Sequence, residues 1–312
     1  MRNFFHSYWK VVLALILLIL LAALFLRPGP ASAAQALAER LEQHAGAIGA
    51  QERNTRTPRS LESAAVYIEK SLAEAGYRST RQEYAAGGGR VRNIEASIGN
   101  VAQGRRPERI FIVGAHYDAA QGAPGVSDNG SGTAAVLELA RLLHTMRPSA
   151  GTEVRFVFFV NEEAPWFMGE EMGGMVHPAE TTGYHTDSAV SRQLPAGLEG
   201  EYPDTGNFIA FVGTLESSQR VREALAAFKA ASDFPTEGLA APAHTIGVTL
   251  SDHTGYARDG YPALMITESA FMRYPYYNTA EDTPEKFDYE RMARVVTGLE
   301  KTIRALAGAA RG

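Results

Sequence analysis

Three short clusters hold side chains that together can run metal-dependent hydrolysis: His116-Tyr117-Asp118, Ser127-Asp128-Asn129-Gly130-Ser131-Gly132 and Asn161-Glu162-Glu163. Each follows or borders an apolar run, and a strand that delivers an imidazole or a carboxylate at its carboxyl end is the usual way an open α/β sheet builds a site. His116 follows Ile110-Phe111-Ile112-Val113. A lone histidine there is more often structural. Asp118, two residues on, faces the same side of an extended segment, where its carboxylate can accept from the imidazole and fix its tautomer. Asp128 lies among Gly125, Gly130 and Gly132, just before a helix. Alone it reads as a cap or turn residue, but flanking glycines also give a bridging metal carboxylate the close approach it needs. An isolated Glu-Glu is usually a harmless surface pair. At the end of a buried strand, Glu162 and Glu163 would repel without a cation. Because neighbouring side chains diverge there, one can bind metal while the other takes a proton from water.

The elements that must position these groups follow from the apolar pattern. Residues 109–115 and 154–160 read as buried strands, short and rich in valine, isoleucine and phenylalanine. Residues 81–84 and 91–98 read as strands joined by a turn at Ala85-Ala86-Gly87-Gly88-Gly89, and 208–212 and 263–267 supply two more. Helical spacing covers 34–45, 60–75, 133–146, 217–232 and 289–306, with Ser60 as an N-cap and Gly76 as a stop. Strands alternating with helices imply a mostly parallel sheet covered on both faces. Residues 164–206 keep neither period for long. Such a stretch is functional, disordered, or hides an element.

At 312 residues, 45% hydrophobic and 21% charged, the chain can bury a substantial core. The net charge of −5 gives no reason to expect a nucleic-acid partner, and the absence of cysteine removes disulfides and thiolate ligands. A bound metal must use imidazole, carboxylate, amide or water, which suits catalytic zinc. Residues 1–33 differ in kind: Arg2 and Lys10 precede the apolar run 11–26, closed by Arg27-Pro28-Gly29-Pro30. This segment is expected to be an uncleaved membrane anchor. A removed signal with Ala31-Ser32-Ala33 at the cleavage site is the competing reading. Either way, residues 34–312 form a catalytic domain on the extracytoplasmic side, membrane-tethered or secreted.

In this order and spacing, the clusters resemble the zinc-dependent exopeptidases of clan MH, the aminopeptidase family that also includes glutaminyl cyclases. The similarity spans residues 61–306. The resemblance implies a three-layer αβα fold around a mixed, mostly parallel sheet, with one or two zinc ions. It implies that His116 binds one zinc, Asp128 bridges two, Glu162 is the general base and Glu163 a ligand. Ser251-Asp252-His253, followed by Gly260-Tyr261-Pro262-Ala263, matches a family segment that is structural or near the substrate pocket.

Two positions depart from the family pattern. The last zinc ligand is a histidine before Thr-x-x-Asp-Thr; here Thr279-Ala280-Glu281-Asp282-Thr283 is preceded by Asn278, whose amide oxygen is a poorer zinc ligand than imidazole. An acidic ligand is expected at the end of the strand after the Glu-Glu pair, and Glu180 is the nearest match, with a surface loop residue as the bland alternative. His177 and His185 stand beside it as substitutes or as loop histidines.

The expected activity is aminopeptidase-like hydrolysis of a peptide or protein substrate, with Glu162 and Asp118 as the catalytic pair. The two departures motivate one alternative, a degenerate binding or scaffold protein, and a glutaminyl cyclase, which keeps the fold and a metal but changes the reaction, is another.

Overall fold

The structure, a computed structural model, describes residues 32–177, the backbone of 182–186, and residues 206–308. The segment read as an anchor or signal lies almost wholly outside these residues. Among the described residues, no helix is long and apolar enough to cross a membrane. Ser32, which the signal reading placed at a cleavage site, caps the first helix: its hydroxyl accepts from Gln35 N, and Gln35 Oε1 accepts from Ser32 N.

Eight strands form one sheet in the order β1-β2-β4-β3-β5-β8-β6-β7. They are β1 (Thr80–Ala86), β2 (Gly89–Gly99), β3 (Arg109–His116), β4 (Thr152–Phe159), β5 (Thr182–Thr186), β6 (Ile209–Thr214), β7 (Thr236–Ala241) and β8 (Leu264–Thr267). The centre, β4-β3-β5-β8, is parallel. β2 joins β4 and β6 joins β8 antiparallel, so the sheet is mixed, as expected. The helices are α1 (Ala33–Gly49), α2 (Pro58–Glu74), α3 (Ser131–Leu143), α4 (Gly173–Val176), α5 (Ser218–Ala231), α6 (His253–Arg258), α7 (Ala270–Arg273) and α8 (Tyr289–Ala307).

Strand alternation divides the core between the two faces. Phe111, Val113 and Ala115 of β3 and Val154, Phe156 and Phe158 of β4 pack with the long helices α1, α2, α3, α5 and α8. Ile110, Ile112, Val157 and Phe159 point the other way, onto Tyr256 of α6. The runs that looked continuously apolar are therefore two interleaved faces, as a strand covered on both sides requires. Burying each phenylalanine contributes roughly 1.5–3 kcal/mol relative to exposure.

Three local expectations are corrected. α2 begins at Pro58 with Thr57, not Ser60, in the cap position, because proline at the first helical position needs no hydrogen-bond acceptor for its nitrogen. The first hairpin turns on Gly87 and Gly88 alone, whose φ values of 60° and 76° suit a tight two-residue connection, so β1 extends through Ala86. The irregular stretch 164–206 hides β5, which pairs with both β3 and β8.

Candidate active site

The site is assembled at the carboxyl ends of β3 and β4. The two strands run parallel with His116 opposite Phe159, and Tyr117 N donates to Phe159 O at 2.9 Å, so both chains leave the sheet side by side. The first turn of α3 is tied to the same point, with Thr133 Oγ1 donating to His116 O at 2.8 Å. The Asp128 turn lies between, with the Asp128–Asn129 peptide in the cis form. Asn129 Oδ1 accepts from Gly132 N at 3.0 Å, capping the helix that follows.

Asp118 organises the constellation. Its Oδ1 and Oδ2 accept from the amides of Glu162 and Glu163, at 3.2 and 3.1 Å, and Oδ1 lies 3.5 Å from His116 Nδ1. On the other side of the imidazole, Nε2 is 3.1 Å from Asp128 Oδ1 and 3.7 Å from Glu162 Oε2. Glu163 shares a hydrogen bond with Asp128, and the Tyr277 hydroxyl donates to Asp128. The five residues predicted as the core of the site, His116, Asp118, Asp128, Glu162 and Glu163, are thus brought together and buried.

The electrostatics are those of crowded carboxylates. Burial, and then the charges of neighbouring acids, push Glu162 and Glu163 well above the usual carboxylate range. Burial alone would lower His116, but Glu162, Asp118 and Asp128 outweigh it and raise its proton affinity. Burial also opposes ionisation of Asp128, yet the imidazole holds it below its ordinary value. Asp252, at the head of α6, is pushed by burial to about 7 while its Oδ1 accepts from Gly174 N at 2.7 Å.

Such an excess of buried acid calls for a cation. Glu163 Oε1 is buried with no hydrogen-bond partner, an orphan that costs free energy unless something positive meets it. Asn278 Oδ1 is buried and unpartnered in the same way, on a residue at φ 54°, a left-handed conformation that asparagine tolerates. An imidazole with carboxylate and amide oxygens is a donor set that fits zinc. As placed, the donors touch one another, and among the described residues no three enclose a common metal position.

Other expectations are sorted by the same geometry. Asn278 follows Tyr277 and so sits beside the cluster. Glu180 lies outside the described residues. His177 is engaged elsewhere: Nε2 is 3.0 Å from Glu95 Oε2 and Nδ1 is 2.8 Å from the Tyr256 hydroxyl. His185 pairs through its backbone with Gly114 and Met265. His253 Nε2 bonds Val248 O at 2.8 Å, a structural role. The sequence reading missed Arg53 and Tyr277. Tyr277 adjoins a position already singled out, whereas nothing around Arg53 marks it.

Residues 96–303 match the model of peptidase family M28. The chain belongs to peptidase family M28. It is 36% identical over 261 residues to the uncharacterized protein YfbL of Escherichia coli (strain K12), across 77% of this chain and 79% of that protein. A probable leucine aminopeptidase of Trichophyton verrucosum (strain HKI 0517) is 28% identical, across 74% of this chain and 62% of its own length. The chain thus spans about three fifths of that relative. The fold is shared with the aminopeptidase from Aneurinibacillus sp. strain AM-1, at TM-score 0.67 and 16% identity over 88% of this chain and 94% of that one. It is shared too with Bacteroides thetaiotaomicron glutaminyl cyclase, at TM-score 0.64 and 17% identity over 85% and 97%. M28 membership makes the chain a peptidase-like hydrolase, and the shared fold accounts for its mixed sheet.

Proposed function

We propose that this M28 chain is a zinc-dependent exopeptidase that removes residues from the free amino terminus of a peptide or protein. The observation that carries this is the buried cluster of His116, Asp128, Glu162 and Glu163, organised by Asp118 and short of positive charge. His116, Asp128 and Glu163 would hold zinc, with Asn278 a weaker contributor. When bound, zinc supplies Lewis acidity that polarises the scissile carbonyl and acidifies water.

The chain's own residues do the rest. Asp118 holds the Glu162 and Glu163 amides and sits against His116 Nδ1, fixing both carboxylate-bearing residues relative to the imidazole. Glu162 takes the proton of the water that attacks the carbonyl carbon. It returns that proton to the nitrogen of the leaving amine as the C–N bond breaks. Its burial favours the protonated form it needs in the second half of that exchange. Acidic groups at the site hold the substrate's ammonium.

For the remaining acidic ligand, the register favours Asp187 over Glu180. β5 runs parallel to β3 with Gly114 opposite His185, so its carboxyl end, Thr186, lies at the same end of the sheet as His116. The next residue in the chain is Asp187, whereas Glu180 precedes the strand. We assign the domain to the extracytoplasmic side, held by residues 1–33 or released by their cleavage, on the apolar run and its basic flank.

The test is release from amino-acid arylamides by the full chain with and without zinc, alongside Glu162→Gln, Asp187→Ala and Glu180→Ala. Release is expected to need zinc and Glu162, and to be lost in Asp187→Ala but kept in Glu180→Ala. Release that persists in Glu162→Gln would sink the hydrolytic reading.

A second reading is favoured by Asn278, whose unpartnered oxygen stands where the resembled family has an imidazole. It is a one-metal protein acting as a glutaminyl cyclase or as a binding protein. Zinc analysis and glutaminyl peptide substrates separate it from the first.

A further inference from the structure

Arg53 is 1% exposed, in the connection between α1 and α2, ahead of the region matched by the family model. Its guanidinium is spent on main-chain oxygens: Nε donates to Tyr117 O at 2.7 Å, Nη2 to Gly125 O at 2.8 Å, and Nη1 to Pro124 O. Tyr117 lies between His116 and Asp118. Gly125 begins the turn that presents Asp128, with Gly125 O also accepting from Gly130 N at 3.0 Å. One planar group therefore ties together two stretches of chain that carry opposite sides of the site. The brace continues through the backbone, because Arg53 O accepts from Ala119 N at 2.9 Å and Asn54 Nδ2 donates to Ala119 O at 3.0 Å. A Cβ on Gly130 would lie 3.3 Å from Nη2, so the guanidinium sits directly against the turn.

Burial lowers Arg53 to about 10, against the attraction of Asp118, Asp282, Glu163 and Asp128, so it stays charged at neutral pH. Lysine could supply that charge. It could not supply the fork, because one ammonium nitrogen cannot reach three separated carbonyl oxygens in a plane.

We propose that Arg53 is a positioning residue for the metal centre, its guanidinium fork setting the spacing between the His116–Asp118 stretch and the Asp128 turn, and through that spacing the zinc affinity of the chain. This rests on the zinc reading above. Groups that orient ligands without touching the metal typically change its affinity by 10–100-fold when removed.

The experiment measures zinc affinity of the full chain by competition with a colorimetric chelator, for wild type, Arg53→Lys and Arg53→Ala, with circular dichroism to check the fold. Both variants are expected to keep the fold and bind zinc at least about tenfold more weakly. Millimolar guanidinium, but not ethylammonium, is expected to restore affinity in Arg53→Ala. Arg53→Lys binding zinc within twofold of wild type would overturn the proposal, since charge alone would then suffice. Loss of fold in both variants, unrescued by guanidinium, would show a purely structural role and overturn it too. A wild-type chain that binds no zinc refutes instead the functional reading beneath it.

Discussion

At Asp118 one carboxylate accepts two consecutive backbone amides, Glu162 N and Glu163 N, and lies 3.5 Å from the imidazole of His116. That arrangement admits no donor in its place. Asp118→Asn keeps the shape but turns one oxygen into an NH2 facing either an amide N–H or the histidine. The expected outcome is a fall in kcat of roughly 10–100-fold with the fold retained, measured on an arylamide substrate alongside thermal unfolding. A variant within twofold of wild type would mean that Asp118 does not orient the pair. Much of this site was legible from residue types: the side chains that meet are those at the ends of two apolar runs, and the placement of Asp118 two positions after His116 anticipated their contact. Arg53 was not legible, because its partners are backbone carbonyls, which leave no trace in residue identity. Neither was the Tyr277 contact with Asp128, a pairing between segments far apart in the chain.

Among the elements, the strongly apolar strands and the long amphipathic helices were readable to within a few residues, and the exceptions have causes. β7 is an edge strand with half-exposed residues and no clean alternation. β5 is five residues of TGYHT, too short and too polar to declare itself, and is defined by its neighbours on both sides. One helical contact also carries a pH dependence. Glu138 of α3 is fully buried and accepts from Arg141 of its own helix and from Arg40 of α1, at 2.7 and 2.9 Å, with His44 Nε2 at 3.4 Å. Burial opposes its charge, but the bonds to His44, Arg141 and Arg40 outweigh it and bring Glu138 from 4.5 to about 2. Because the folded value is the lower one, the carboxylate contributes stability above pH 4.5, and that contribution is lost as pH falls towards 2. Glu138→Gln should therefore lower unfolding free energy at pH 7 by roughly 1–3 kcal/mol, with the gap to wild type narrowing below pH 4.5 and closing towards about pH 2. Denaturant unfolding at several pH values checks this; a gap that stays constant with pH would show that the charge is not the source.

Across the whole molecule, the site is a junction. β3 and β4 bring His116, Asp118, Glu162 and Glu163, the turn before α3 brings Asp128, and the segment ahead of α8 brings Tyr277 and Asp282. Asp282 ties that last segment to the Asp128 turn by accepting from Ser127 N and Ser127 Oγ at 2.9 and 2.8 Å. A cation at their meeting point would bind the folded chain and not the unfolded one, so it should stabilise the entire domain by mass action. At free zinc 100-fold above its dissociation constant the gain is about 2.7 kcal/mol. Chelation should accordingly lower the melting temperature of the wild type by several degrees. The same drop should persist in Glu162→Gln, which removes the proposed base but leaves His116, Asp128 and Glu163. It should vanish in His116→Ala, whose melting temperature should no longer respond to zinc or chelator. Equal responses in all three proteins would place the stabilising metal somewhere other than this cluster. A response lost in Glu162→Gln as well would make Glu162 a ligand, and the proton transfer would then need another base.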